Sequence, residues 1–84
     1  VDNTKLNMTI YPVPAGNQLN IELDNVEDYN ITLYNSIGQT IKVPTVSKDL
    51  NKVSFNTNSL SDGLYFIDFT KGPIKDTRKI IIKH

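Results

Sequence analysis

The chain has 84 residues, enough for one small domain and too few for a second hydrophobic core. Nine Lys+Arg balance nine Asp+Glu, so the chain lacks the basic excess that draws a protein onto nucleic acid or an anionic bilayer. Cysteine is absent, which removes disulfide staples, thiolate nucleophiles and thiolate-bound zinc, and no apolar run approaches the roughly 20 residues of a membrane-spanning helix. Apolar residues alternate with polar ones along most of the chain and nowhere recur at helical spacing for long, so strands are expected and no helix.

In chain order, Met8 to Tyr11 reads as a short strand stopped by Pro12; with Pro14 close behind, the missing N–H groups place it at a sheet edge. Ala15 to Gln18 turn about Gly16-Asn17, and Leu19, Ile21 and Leu23 alternate with Asn20 and Glu22 in a second strand ended by Asp24-Asn25. Tyr29, Ile31 and Leu33 mark a third strand. The turn Asn35-Ser36-Ile37-Gly38 leads into Gln39 to Val43, with Ile41 and Val43 facing in and Pro44 closing the strand. Ser47 to Asn51 is polar and reads as a loop. Val53 and Phe55 mark a fifth strand. Leu64 to Phe69 is apolar on both parities apart from Asp68, the pattern of a central strand covered on both faces. Lys71-Gly72-Pro73 turns the chain into a last strand, Thr77 to Lys83. About seven short strands at this spacing predict an all-β antiparallel sandwich. Its expected core is Ile10, Leu19, Ile21, Leu23, Ile31, Leu33, Ile41, Val53, Phe55, Leu60, Tyr65, Ile67, Ile80 and Ile82.

Charge is unevenly distributed along the chain. Residues up to Thr70 hold four lysines against eight acids, a net of four negative charges; from Lys71 onward five cations face Asp76 alone, a net of four positive. The basic end suits a recognition handle, and it equally suits a solvated strand that resists aggregation. Reactive constellations are missing: His84 is the one histidine, and a terminal, fraying, solvated imidazole does not position a proton. Glu27 and Asp28 are adjacent, so on a strand they point apart; with Glu22 and Asp24 they are the one group of acids that suggests Ca²⁺, and an ordinary acidic loop end is the preferred reading. The four glycines stand singly at turns, with no phosphate cradle. Asn7-Met8-Thr9 and Asn30-Ile31-Thr32 fit the short N-glycosylation sequon. In Leu60-Ser61-Asp62-Gly63-Leu64-Tyr65 a glycine precedes a strand-leading tyrosine, as in the tyrosine corner of Greek-key sandwiches, where the phenol bonds back to the upstream backbone.

Four landmarks fall in order: Tyr11-Pro12-Val13-Pro14-Ala15, the hairpin Leu33 to Ile41 about Gly38, Leu60 with Gly63-Leu64-Tyr65, and Lys79-Ile80-Ile81-Ile82-Lys83. From Met8 to His84 the chain resembles the type A C-terminal sorting domain of the bacterial type IX secretion system, differing where Val13, Asn35 and Gln39 replace the family's usual Asn, Asp and basic residue. The resemblance implies an immunoglobulin-like sandwich of about seven strands, residues 8–84, preceded by residues 1–7 as the linker remnant of an N-terminal cargo from the Bacteroidetes lineage. It further implies a non-catalytic signal without cofactor or metal, which crosses the periplasm, takes cargo through the outer-membrane translocon to the cell surface or medium, and is removed by a sortase-like peptidase. Neither nucleic-acid binding nor membrane insertion is expected.

Lys79 and Lys83 are the expected electrostatic contacts, with Ile80, Ile81 and Ile82 serving the core or strand addition. Tyr11, Pro12, Pro14, Gly38, Leu60, Gly63 and Tyr65 are the expected structural positions. The alternative is a fibronectin-like or carbohydrate-binding module using Tyr34 and Phe66 for stacking; the absence of tryptophan speaks against it.

Overall fold

A computed structural model describes residues 7–12 and 15–84. Among these are eight strands: β1 (Thr9–Tyr11), β2 (Gln18–Glu22), β3 (Asn30–Asn35), β4 (Thr40–Ile41), β5 (Thr45–Lys48), β6 (Lys52–Asn56), β7 (Gly63–Lys71) and β8 (Ile74–Ile82). They form two antiparallel sheets, ordered β1-β2-β6-β5 and β4-β3-β7-β8. Period-2 alternation does the sorting. Leu19 and Ile21 of β2 lie opposite Phe55 and Val53 of β6, and Leu33 of β3 lies opposite Ile67 of β7, so each sheet turns one apolar face inward. Ile67, Phe69, Ile80 and Ile82 from one sheet and Leu19, Ile21 and Val53 from the other are at most 1% exposed in the shared core.

The sandwich is as expected, with four differences of detail. Beyond Pro44, Thr45–Lys48 is an extra edge strand on β6 that takes in Ser47 and Lys48, the start of the loop expected over Ser47 to Asn51, and all four of its side chains are exposed. A strand that buries neither face needs no apolar alternation, and this one has none. A short 3₁₀ turn, Val26–Asp28, follows β2 although no helix was expected; it starts at Asn25 in the left-handed region (φ 57°) and drops Val26 into the core. β7 is internal to its sheet but covered on one face only, leaving Leu64 exposed and Phe66 half-buried. The final strand begins at Ile74 because the two-residue turn Gly72-Pro73 closes a continuous nine-pair ladder. Glycine at φ 57° followed by proline matches the demands of a type II′ hairpin.

The expected core residues are inside, with Ile10, Ile31, Ile41 and Phe55 only partly buried at its margin; Ala15, Val26 and Phe69 join them. Val13 and Pro14, and all but the last residue of the expected linker 1–7, lie outside the described residues.

Candidate docking surface

β8 is an edge strand, and its residues divide strictly by parity. Ile80 and Ile82, expected as possible contacts, are each 1% exposed and belong to the core, whereas Ile81 between them is 46% exposed and faces out beside Lys79 and Lys83. The triplet of isoleucines is therefore two packing residues and one surface residue. Among the described residues neither lysine is within ion-pair distance of a carboxylate. The three pairs present are Lys71 with Asp28 at 3.7 Å, Lys75 with Asp68 at 4.0 Å and Arg78 with Asp76 at 3.1 Å.

Strand register assembles the rest of this face. Ile81 lies opposite Leu64 of β7, and Lys79 lies opposite Phe66, which in turn lies opposite Tyr34 of β3. Ile81, Leu64, Phe66 and Tyr34 thus form one apolar patch on the outer face of the sheet, bordered by Lys79. The two rings considered for sugar stacking are part of it. Each of these residues is readable in the sequence, but their grouping depends on register across three strands.

The C-terminal end of β8 is held in place. The Ala15 N–H donates to the Ile81 carbonyl and the Lys83 N–H donates to the Ala15 carbonyl, both at 2.8 Å, in a parallel bridge. His84 was expected to fray, but its backbone N–H donates to Asp62 Oδ1 at 2.9 Å and its Nε2 lies 2.7 Å from the Leu60 carbonyl. Asp62, polar and close to a turn, was the available signal for this anchor.

The loop that receives His84 is fixed by the tyrosine corner. Buried Tyr65 donates its phenol to the Ser61 carbonyl at 2.8 Å, and Leu60 is 8% exposed. Gly63, at φ 153°, opens β7 immediately before it. On the neighbouring strand Gly38 (φ 87°) closes the β3–β4 hairpin. There Asn35 Oδ1 accepts from the N–H groups of Ile37 and Gln39, and Asn35 Nδ2 donates to Gln39 Oε1 at 2.8 Å. Asn35 and Gln39, two of the three residues that depart from the pattern the chain resembles, are therefore bonded to each other. At the far edge Tyr11 donates to Glu22 Oε2 at 2.7 Å, and the Tyr11-Pro12 bond is cis with Pro12 exposed.

The acids Glu22, Asp24, Glu27 and Asp28 do not converge; among the described residues no three His, Asp or Glu side chains gather into a cation-binding group. A cleft of about 410 Å³ opens between the sheets beside β4 and β5, lined by Leu19, Ile31, Leu33, Ile41, Val43 and Phe55 among others, and it gathers no reactive side chains. No described helix is long and apolar enough to cross a membrane.

A comparison with curated proteins finds no match. Among solved structures, the Ig1 domain of mouse SynCAM 2 is similar with a TM-score of 0.60 at 15% identity, covering 96% of this chain and 95% of that one. That likeness establishes an immunoglobulin-like fold. The family model described as secretion system C-terminal sorting domain matches residues 9–83, so with its anchored basic edge strand and this fold the chain belongs to the C-terminal sorting domains of type IX secretion.

Proposed function

We propose that this domain is the non-catalytic address of an N-terminal cargo protein, presented to the type IX outer-membrane translocon through the basic outer face of β8 and afterwards removed by a sortase-like peptidase. Cargo then passes from the periplasm to the cell surface or the medium. Family membership supports the sorting role. The observation that carries the docking role is the pair Lys79 and Lys83: both point outward from a strand tied down at its end, without a carboxylate partner among the described residues, and flank exposed Ile81. Unneutralised charge on a rigid element lowers the ordering cost of docking.

The test is a fluorescent reporter fused ahead of the domain in a cell competent for type IX secretion. The intact fusion should reach the medium or cell surface, and Lys79→Glu with Lys83→Glu should lower export about tenfold, the effect of roughly 1.4 kcal/mol of docking energy. Charge reversal is preferable to truncation, because removing the end of β8 also removes Ile80 and Ile82 from the core. Periplasmic retention of the intact fusion would overturn the sorting role. Normal export of the charge-reversed fusion would overturn the docking role alone.

A further inference from the structure

Four strands lie at sheet edges: β1, β5, β4 and β8. β1 has three residues and runs into Pro12, β4 has two residues, and β5 has four with a register shift between Thr45 and Ser47. Short length, bulges and proline are the usual means by which sheets prevent further pairing. β8 uses none of these. It has nine residues in unbroken register with β7, and only side-chain charge guards it.

Among the described residues, the outward backbone groups of β8 have no backbone partner between its hairpin and the Ala15 bridge. The bridges to Ala15 use the Ile81 carbonyl and the Lys83 N–H, so outward groups on β8 belong to odd-numbered residues. By the alternation of an antiparallel ladder, Lys75, Thr77 and Lys79 also direct their N–H and C=O away from β7. Among the described residues, Ala15 closes the edge above Lys79 and the hairpin closes it below Ile74, so the outward groups of Lys75, Thr77 and Lys79 span about five residues, roughly 17 Å of strand.

Side-chain charge then selects what can pair there. A second copy using the whole free edge in antiparallel register would centre on Thr77 and set Lys75 opposite Lys79, twice over. Like charges directly opposite destabilise a strand pair. The same register sets Asp76 opposite Arg78 on the inner face, where the two already pair within one chain at 3.1 Å, so it is on the outer face that the lysines disfavour self-pairing. A strand carrying carboxylates on its outer face instead meets Lys79, which has no carboxylate partner among the described residues, and Lys75, whose pair with Asp68 spans 4.0 Å. The apolar patch of Ile81, Leu64 and Phe66 adjoins the same edge.

We infer that the Lys75–Lys79 edge of β8 takes an extended, acidic segment of a partner protein as a fifth strand of its sheet. This deepens the docking reading above and rests on it: main-chain hydrogen bonds supply affinity, and the lysines supply the choice of partner.

The probe is a capped six-residue peptide of alternating Glu and Val, with its Lys/Val counterpart and anionic phosphatidylglycerol vesicles as controls, titrated into the isotopically labelled 84-residue chain. The acidic peptide should shift the amide resonances of Lys75, Thr77 and Lys79 and slow their hydrogen exchange about tenfold. The Lys/Val peptide should do neither. Thr77→Pro deletes one outward N–H that the domain's own ladder does not use, so it should keep the spectrum of a folded domain and lose the peptide. Lys75→Glu with Lys79→Glu, which does not depend on tolerance of proline, should reverse the preference toward the Lys/Val peptide. Perturbation by vesicles and not by the acidic peptide would overturn the inference in favour of a lipid surface. Equal response to both peptides, or acidic-peptide binding unaffected by either variant, would also overturn it. In the export assay, a retained intact fusion would sink the sorting role itself, whereas normal export of the Thr77→Pro fusion would sink only strand addition.

Discussion

Tyr65 and Phe69 sit four residues apart on the inward face of β7, and different physics makes each matter. The Tyr65 ring is buried but its hydroxyl reaches the Ser61 carbonyl, so Tyr65→Phe keeps the packing and leaves that carbonyl without its donor. The expected loss is about 1 kcal/mol, a fall in melting temperature of roughly 4–8 °C for a domain of this size, measured by thermal circular dichroism. Phe69 is 0% exposed, and its truncation empties the centre of the sandwich. Phe69→Ala should lose roughly 3–5 kcal/mol, comparable to the whole stability of so small a domain, and a collapse of amide dispersion in the NMR spectrum is the corresponding readout. Tyr65 is among the core residues expected from the sequence; Phe69 is not, because Leu64 to Phe69 is apolar on both parities and so hides which face turns inward. Nor is Thr57: it is fully buried because its hydroxyl donates to the Gly16 carbonyl, joining two segments that are distant in sequence.

Whole elements show the same division between local and nonlocal information. β2, β3 and β6 each turn an apolar face inward, so hydrophobic alternation announces them; β5 buries neither face and is held to β6 by backbone bonds that leave no trace in composition. The 3₁₀ turn likewise escapes a periodicity reading because its three residues make a single turn, with no second turn to repeat the pattern. The β3–β4 hairpin is legible, since Asn at the first turn position and Gly at the last are the residues such a turn requires. Asn35 accepts two backbone N–H groups there and donates to Gln39, so Asn35→Ala should cost about 1–2 kcal/mol. The loss should be local first, with hydrogen exchange accelerating at Ile37 and Gln39 before β7 responds. Uniform acceleration across both sheets would contradict this assignment.

At the scale of the whole molecule, neutrality in composition becomes polarity in space. The sequence shows a basic C-terminal segment, and parity alone puts Lys79, Ile81 and Lys83 on one face. It does not show that Leu64, Phe66 and Tyr34 complete that face, or that Ala15 and Asp62 tie its end down, because these depend on register and on a contact between distant segments. This arrangement separates stability from recognition. The fold rests on an apolar core, and among the described residues the ion pairs Lys71–Asp28 and Lys75–Asp68 each have an exposed lysine, so screening should change stability little. Docking on the lysines of the β8 edge, including Lys75 and Lys79 that meet the acidic peptide, is an encounter of exposed charges, screened strongly as the Debye length falls from about 10 Å near 0.1 M salt to about 3 Å near 1 M. Across that range the denaturation midpoint should move by no more than the equivalent of about 0.5 kcal/mol, while affinity for the acidic peptide drops about tenfold. If both quantities declined together, the basic face would be part of what holds the domain folded; if neither changed, charge would not be what selects its partner.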